Sequence, residues 1–503
     1  MNENLYEMLR LRFPGNPDAP CLILPDGDRV SYDRLDRESA RYAGLLVSSG
    51  VKPGDRVAVQ VRKSPQALCL YLGCLRAGAV YLPMNDAYQR HEIEFILGDA
   101  TPRVLVCRPQ IRALADELAA KSAVARVIEL DDNGGGALAS EAAAQPDTFS
   151  TVVRTGDDLA AILYTSGTTG RSKGAMLSHR NLFSNADVLH RYWGFRPGDV
   201  LLHMLPIFHV HGLFVATHCT LMNGTPMFFE PRFDVGRAIE LLPKTTVFMG
   251  VPTYYVRLLS EPGFTRKLCA GMRLFVSGSA PLLMETFNAF KTRTGHTIVE
   301  RYGMTEGNMF SSNPYDGERR GGTVGFPLPG VSIRIVDDEN RPVQGGGIGQ
   351  ILVKGENVFC GYWRMPEKTR EEFTDDGFFK TGDMGKRDDD GYISIVGRLK
   401  DVIITGGLNV YPKEIEEIID AMPGVFESAV VGVPHPDFGE AVVALVVRLA
   451  DEAGGAMTEA GIIAALKGVL ANFKVPKRVH FVAALPRNSM GKVQKMVLRE
   501  QYA

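Results

Sequence analysis

The sequence predicts an α/β fold: a large N-terminal domain of helix-covered sheets with a β-rich subdomain, then a small α+β C-terminal domain. Three textures along the 503 residues carry that prediction. Up to residue 300, strand-like apolar runs alternate with helix-like ones, as parallel strands do when helices cross between them. Between about 320 and 397 the elements shorten to GVSIRIVDDENRPV, GQILVKG and GYISIVGR with glycine turns, which reads as antiparallel β. After GRLKD (397–401), a tail of about 100 residues has apolar runs of its own, enough for a separate core.

Taken in order, CLILPDGDRVSYDRL reads as a hairpin, two apolar runs around a Pro-Asp-Gly turn. The strands RVAVQV, RVLVC and ARVIEL then alternate with the helices SPQALCLYLGCLRAG and PQIRALADELAAK. Residues 132–150 are poor in bulky apolar groups and are expected to form a surface loop before the alternation resumes at 155. The tail runs strand, helix (PKEIEEIIDAM), strand (ESAVVGV), strand (AVVALVVRL), helix (EAGIIAALKGVLANF), strand (RVHFVAAL).

Composition excludes several classes of protein. A net charge of −2 gives no electrostatic attraction for nucleic acid or an anionic membrane. The most apolar window, LLHMLPIFHVHGLFVATHCTLM, holds four histidines and a proline and reads as core rather than a membrane span. Seven scattered cysteines without a CxxC pair, and an N-terminus charged throughout, point to a reducing cytoplasm. His209 and His211 form an HxH pair, but nothing nearby completes a zinc-ligand set.

The stretch LYTSGTTGRSKG (163–174) is built to hold an anion. Backbone N–H groups of a glycine-rich turn suit phosphate oxygens, hydroxyl groups add donors, and Lys173 adds a point charge. It is no Walker A loop: position 172 is serine rather than glycine, and Gly174 replaces the Ser/Thr that would ligate magnesium.

TSGTTGRSKG resembles the phosphate loop of the adenylate-forming enzymes: acyl-CoA synthetases, luciferases and peptide-synthetase adenylation domains. Later motifs follow in that family's order: RYGMTE (301–306), TGD (381–383), GRLKD (397–401), GGLNVYPKEIE (406–416) and PRNSMGKVQK (486–495). The FHVHG stretch, VFMGVPTYYVRLL and ERYGMTE are most similar to the malonyl-CoA synthetase branch.

The resemblance implies a domain of residues 1–397, a hinge at 398–401 around Lys400, and a C-terminal lid at 402–503. It implies a two-step reaction. A carboxylate attacks the α-phosphate of ATP, expelling pyrophosphate, and the thiol of coenzyme A then displaces AMP from the acyl-adenylate. Neither step needs a protein nucleophile, so catalysis is positioning and charge stabilisation. By resemblance Thr165, Ser166, Gly167, Thr168, Thr169, Gly170 and Lys173 hold the β- and γ-phosphates. Glu306 ligates Mg²⁺, Thr305 lies near the α-phosphate, and Tyr302 stacks on adenine within the segment Glu300, Arg301, Tyr302, Gly303, Met304. Asp383 accepts the ribose hydroxyls, with Arg398 beside it; Gly406 and Gly407 line the thiol tunnel. Lys492 bridges the attacking carboxylate and the nucleotide, and an acyltransferase that modified it would remove its charge.

For a dicarboxylate such as malonate, the idle carboxylate needs a cation. Arg257 and Arg301 are expected to face the acyl pocket, with His209, Ser277 and Ser279 nearby; Ser279 is also placed against ATP. One departure from the branch is the sequence GNMF after Glu306. Gly307 is expected to enlarge the pocket and Phe310 to add apolar surface, which widens the acids accepted to methylmalonate. The alternatives are a synthetase for a monocarboxylic aliphatic or aryl acid, and an adenylation module that loads a carrier protein.

Overall fold

The computed structural model describes residues 2–165, 172–406, 408–488 and 491–503. The chain forms two compact units. The first holds the residues up to Gly321 together with Gly325–Ser332 and Lys354–Phe379; the second holds Gly322–Val324, Ile333–Val353 and Lys380–Ala503. The residues 398–401 fall inside the second unit.

Within the first unit, the described residues form a six-stranded and a nine-stranded sheet. The six strands run in the order Arg126–Glu129, Val104–Cys107, Arg56–Gln60, Val80–Pro83, Leu159–Thr165, Lys173–Ser178. Neighbours are parallel up to Leu159–Thr165. Val80–Pro83 and Val104–Cys107 are buried along their whole length, as strands covered on both faces must be. The covering helix Pro65–Arg76 starts where it should: Ser64 accepts from the Ala67 N–H and proline opens the first turn. The last pair, Leu159–Thr165 and Lys173–Ser178, is antiparallel and sets Thr165 opposite Lys173.

The nine-stranded sheet carries the hairpin Pro20–Ile23 and Arg29–Ser31 at one edge. At its other end the parallel strands Val247–Gly250, Leu274–Ser277 and Val299–Met304 lead into the antiparallel strand Asn308–Ser312. The RYGMTE motif is therefore a strand and its turn. FHVHG enters a π-helix, His211–Thr217, a wide-turn geometry frequent at functional sites. Residues 132–150, expected as a loop, contain the helix Ala137–Ala143 with Leu138 and Ala142 buried. Alanine needs no bulky neighbours to be helical, so two small contacts suffice.

In the second unit, four strands run in the order Ser332–Val336, Gly349–Lys354, Phe379–Arg387, Ile393–Arg398. Among the described residues a five-stranded sheet follows, with the long antiparallel pair Val425–His435 and Gly439–Arg448, and Arg478–Phe481 parallel to the latter. Ile415 and Ile419 of the helix Pro412–Asp420 pack with Val430, Val442 and Val446 beneath it.

Candidate active site

Lys173 opens its strand with a side chain only 13% exposed. Its Nζ stands 4.4 Å from the centre of the Tyr362 ring and 3.8 Å from the Glu372 carboxylate. The Tyr362 hydroxyl donates to Glu306 Oε1 at 2.9 Å, and both residues are buried. The same segment grips the turn after Glu306 through its backbone. Phe359 N–H donates to the Glu306 carbonyl at 2.8 Å, and Asn357 Nδ2 to the carbonyls of Gly307 and Met309 at 2.6 and 3.0 Å. On its other side it runs along the strand that Lys173 opens: Met176 N–H donates to Gly361 O, Cys360 N–H to Met176 O, and Trp363 N–H to Gly174 O. Residues 357–363 thus tie the strand that Lys173 opens to the turn after Glu306. Sequence reasoning missed this tie, although the run NVFCGYW mixes a carboxamide with aromatic groups in a segment otherwise rich in charge and glycine. Ser166, Gly167, Thr168, Thr169 and Gly170 lie outside the described residues.

Among the described residues no group of three His, Cys, Asp or Glu side chains is disposed to hold a metal. A buried carboxylate oriented by a hydroxyl donor nonetheless fits a hard cation that takes its other oxygens from phosphates and water.

The strand Val299–Met304 buries Glu300 and Arg301 and leaves Tyr302, Gly303 and Met304 half-buried, with Thr305 in the turn beyond. The Tyr302 ring meets Phe310 at a centroid distance of 5.7 Å. Arg301 is 5% exposed, and its Nε and Nη2 have no hydrogen-bond partner. Burial pushes its guanidinium down to about 9. Gly278 makes room for it: a Cβ there would meet Arg301 Cζ at 2.3 Å. His211 is buried with Nε2 unpartnered, and its Nδ1 lies 3.4 Å from Ser279 Oγ. Burial, then the charge of Arg301, holds this imidazole well below its usual value, so it is neutral at pH 7. Ser277 is fully buried with its hydroxyl unpartnered. Ser279 has φ 73°, the left-handed region that costs a non-glycine residue strain energy. His209 is half-buried and accepts from the His211 N–H at 3.3 Å.

Two expectations change. Arg257 is exposed on the helix Pro252–Leu259, whose buried side presents Tyr255 and Leu258. Helical periodicity turns it away from the enclosed face, so it does not share the burial of Arg301. Nor does Gly307 enlarge a pocket: the Phe310 ring fills the space beside it and is itself fully buried, adding no apolar surface.

In the second unit, Asp383 is 3% exposed and accepts from Arg398 Nε at 2.8 Å across paired strands. Lys400 lies exposed in the turn Leu399–Asp401. Gly406 has φ 58° and donates its N–H to the Phe438 carbonyl at 2.8 Å; Gly407 lies outside the described residues. Lys492 is exposed. Its N–H donates to Asn488 Oδ1, and Asn488 N–H donates to its carbonyl, both at 2.9 Å. Arg487 donates to Gly491 O at 2.6 Å and pairs with Glu427, while Lys495 pairs with Glu416 at 2.5 Å. Ion pairs thus hold both flanks of the lysine loop.

Residues 10–363 match the AMP-binding enzyme family and residues 414–492 the AMP-binding enzyme C-terminal domain, and the chain belongs to that family. Particular relatives are similar along nearly their whole length. A malonate–CoA ligase of Arabidopsis thaliana is 36% identical, covering 99% of this chain and 89% of that one. A sulfoacetate–CoA ligase of Cupriavidus necator is 33% identical, covering 99% and 97%. The crystal structure of ATP-bound MatB from Rhodopseudomonas palustris is 54% identical with a TM-score of 0.97, covering 100% and 99%.

Proposed function

We propose that this protein ligates malonate to coenzyme A through an acyl-adenylate, consuming ATP and releasing AMP and pyrophosphate. The observation that carries the reading is Arg301, a buried guanidinium whose Nε and Nη2 have no protein partner. A cation enclosed without an anion is costly, and the idle carboxylate of a small diacid is the group that relieves it. Neutral His211, whose imidazole feels the charge of Arg301, adds a polar group near it. Relatives named for malonate and sulfoacetate, each an acid with a second anionic group, support the same choice.

In the first step one malonate carboxylate attacks the α-phosphorus and pyrophosphate leaves. In the second the CoA thiolate attacks the acyl carbonyl and AMP leaves. Lys173 and the anion loop hold the β- and γ-phosphates, Asp383 takes the ribose, and Tyr302 the adenine. Lys492 neutralises the two anions that must meet. A Mg²⁺ ion carried on Glu306 would neutralise phosphate charge. In this reading Lys400 is the hinge, Gly406 and Gly407 flank the thiol's path, and acylation of Lys492 by an acyltransferase switches the enzyme off. The site of action is the cytoplasm. Among the described residues no helix is long and apolar enough to cross a membrane.

The test is pyrophosphate release with a panel of mono- and dicarboxylates, followed by thioester formation with free CoA. Malonate should give the strongest signal, and Arg301→Gln should raise its KM about 30-fold or more, equivalent to roughly 2 kcal/mol. A fatty or aryl acid that is activated while malonate is not would overturn the reading.

A further inference from the structure

Tyr362 belongs to none of the motifs that define the nucleotide site, yet it touches two of the groups assigned to it. Its ring lies under Lys173 Nζ at 4.4 Å, and its hydroxyl donates to Glu306 Oε1 at 2.9 Å. The ring is 3% exposed and is fixed from behind by Phe359, edge to face at 4.9 Å. Its backbone is fixed as well: the Tyr362 N–H donates to Thr369 Oγ1 at 2.9 Å, and the neighbouring residues are paired to the strand that begins at Lys173. A buried tyrosine held this firmly has one position for its hydroxyl, so it presents the Glu306 carboxylate in one orientation.

We propose that Tyr362 is a positioning residue that couples the phosphate-loop lysine to the metal-binding glutamate, its ring holding Lys173 and its hydroxyl aiming Glu306. The proposal rests on the reading of Glu306 as the Mg²⁺ ligand. The two halves of the role are carried by different parts of the side chain. A cation over an aromatic face is held by the ring quadrupole, which phenylalanine keeps. The hydrogen bond to the carboxylate is held by the hydroxyl alone, which phenylalanine loses. Apart from this hydrogen bond, Tyr362→Phe preserves volume, burial and the edge-to-face contact with Phe359.

The experiment measures binding of α,β-methylene-ATP to the full chain by calorimetry, with and without Mg²⁺, for wild type, Tyr362→Phe, Tyr362→Leu and Glu306→Gln. Tyr362→Phe should bind the metal-free nucleotide as wild type does but lose about five- to tenfold of the Mg²⁺-dependent gain in affinity. Tyr362→Leu should lose that gain and also weaken metal-free binding, because Lys173 has lost its ring. Melting curves of each variant separate these effects from loss of fold. The proposal is overturned if Tyr362→Phe keeps the full Mg²⁺ gain while Glu306→Gln loses it. It is equally overturned if Tyr362→Phe weakens both modes of binding in parallel, as a merely structural role would. If Glu306→Gln keeps the gain, the reading of Glu306 falls first and the proposal falls with it.

Discussion

The ring of Phe310 stands where a side chain at Gly307 would begin: a Cβ at 307 would meet Phe310 Cε1 at 2.2 Å and Cζ at 2.6 Å. Phe310 is fully buried and leans on Tyr302, so the ring has no open space to retreat into. Glycine at 307 and phenylalanine at 310 are therefore one packing solution rather than two independent choices.

Gly307→Thr alone should destabilise the protein by about 1–3 kcal/mol, the cost of overpacking a filled core. Phe310→Asn alone should cost about 3–5 kcal/mol through the cavity it leaves. The double variant should cost less than the sum, and urea unfolding of all three gives the coupling. Strict additivity would show that the two side chains do not compete for the same space.

Arg301 yields a prediction in which stability and function part company. Its guanidinium is depressed to about 9 because burial disfavours the charged form, so carrying the charge at pH 7 costs the folded state stability. Arg301→Met should therefore melt at or above the wild-type temperature without ligand, while the rise in Tm that malonate induces in wild type disappears. Gly278→Ala should also abolish the malonate shift, because its Cβ would displace the guanidinium. A malonate shift retained in Arg301→Met would remove Arg301 from acid recognition.

Lys492 is exposed, so Lys492→Ala should leave the melting curve unchanged. Pyrophosphate release from ATP and malonate should nevertheless fall by about 100-fold or more. Thioester formation from preformed malonyl-AMP should fall far less. Equal losses in the two half-reactions would mean that the lysine's charge is not specific to the first.

Asp420 predicts a pH effect on stability remote from nucleotide chemistry. Burial, with the neighbouring charges of Glu416 and Glu427, raises its carboxyl to about 7, and its Oδ1 has no partner. The polar groups of nearby Ser428 oppose the rise. Glu416 and Glu427 are the acids that pair with Lys495 and Arg487. The folded state binds this proton more tightly than the unfolded chain, whose aspartates titrate near pH 4. Its contribution is therefore present below about pH 4 and is lost as the pH rises to about 7. Asp420→Asn should gain in Tm over wild type more at pH 8 than at pH 5.5. A difference in Tm that does not change with pH would contradict this assignment.

The candidate site was legible unevenly, for reasons that particular residues make plain. Glu306, Asp383 and Lys492 each sit in a short motif, GMTE, TGD and SMGK, that resembles a motif of the adenylate-forming enzymes, and that resemblance singled them out. Tyr362 could not be singled out, because its bond to Glu306 spans 56 residues and nothing local marks it. Arg257 and Arg301 looked equivalent as cations near the acyl segments. Only the face each occupies distinguishes them: one lies on the solvent side of a helix, the other on a strand within a sheet. Gly307 read as empty space because a sequence shows the missing side chain but not the ring that replaces it.

Local order along the chain was enough for the alternating sheets and the β-rich segment, and motifs that resemble a known family supplied the kind of chemistry. Periodicity, turn residues and motif spacing are properties of neighbours in sequence. Enclosure and pairing are not. Whether a guanidinium is desolvated without an anion, whether Phe310 fills the room beside Gly307, and which hydroxyl donates to Glu306 depend on segments brought together from distant parts of the chain. Those contacts set the local dielectric and the free volume, and through them the charge and geometry that the chemistry uses.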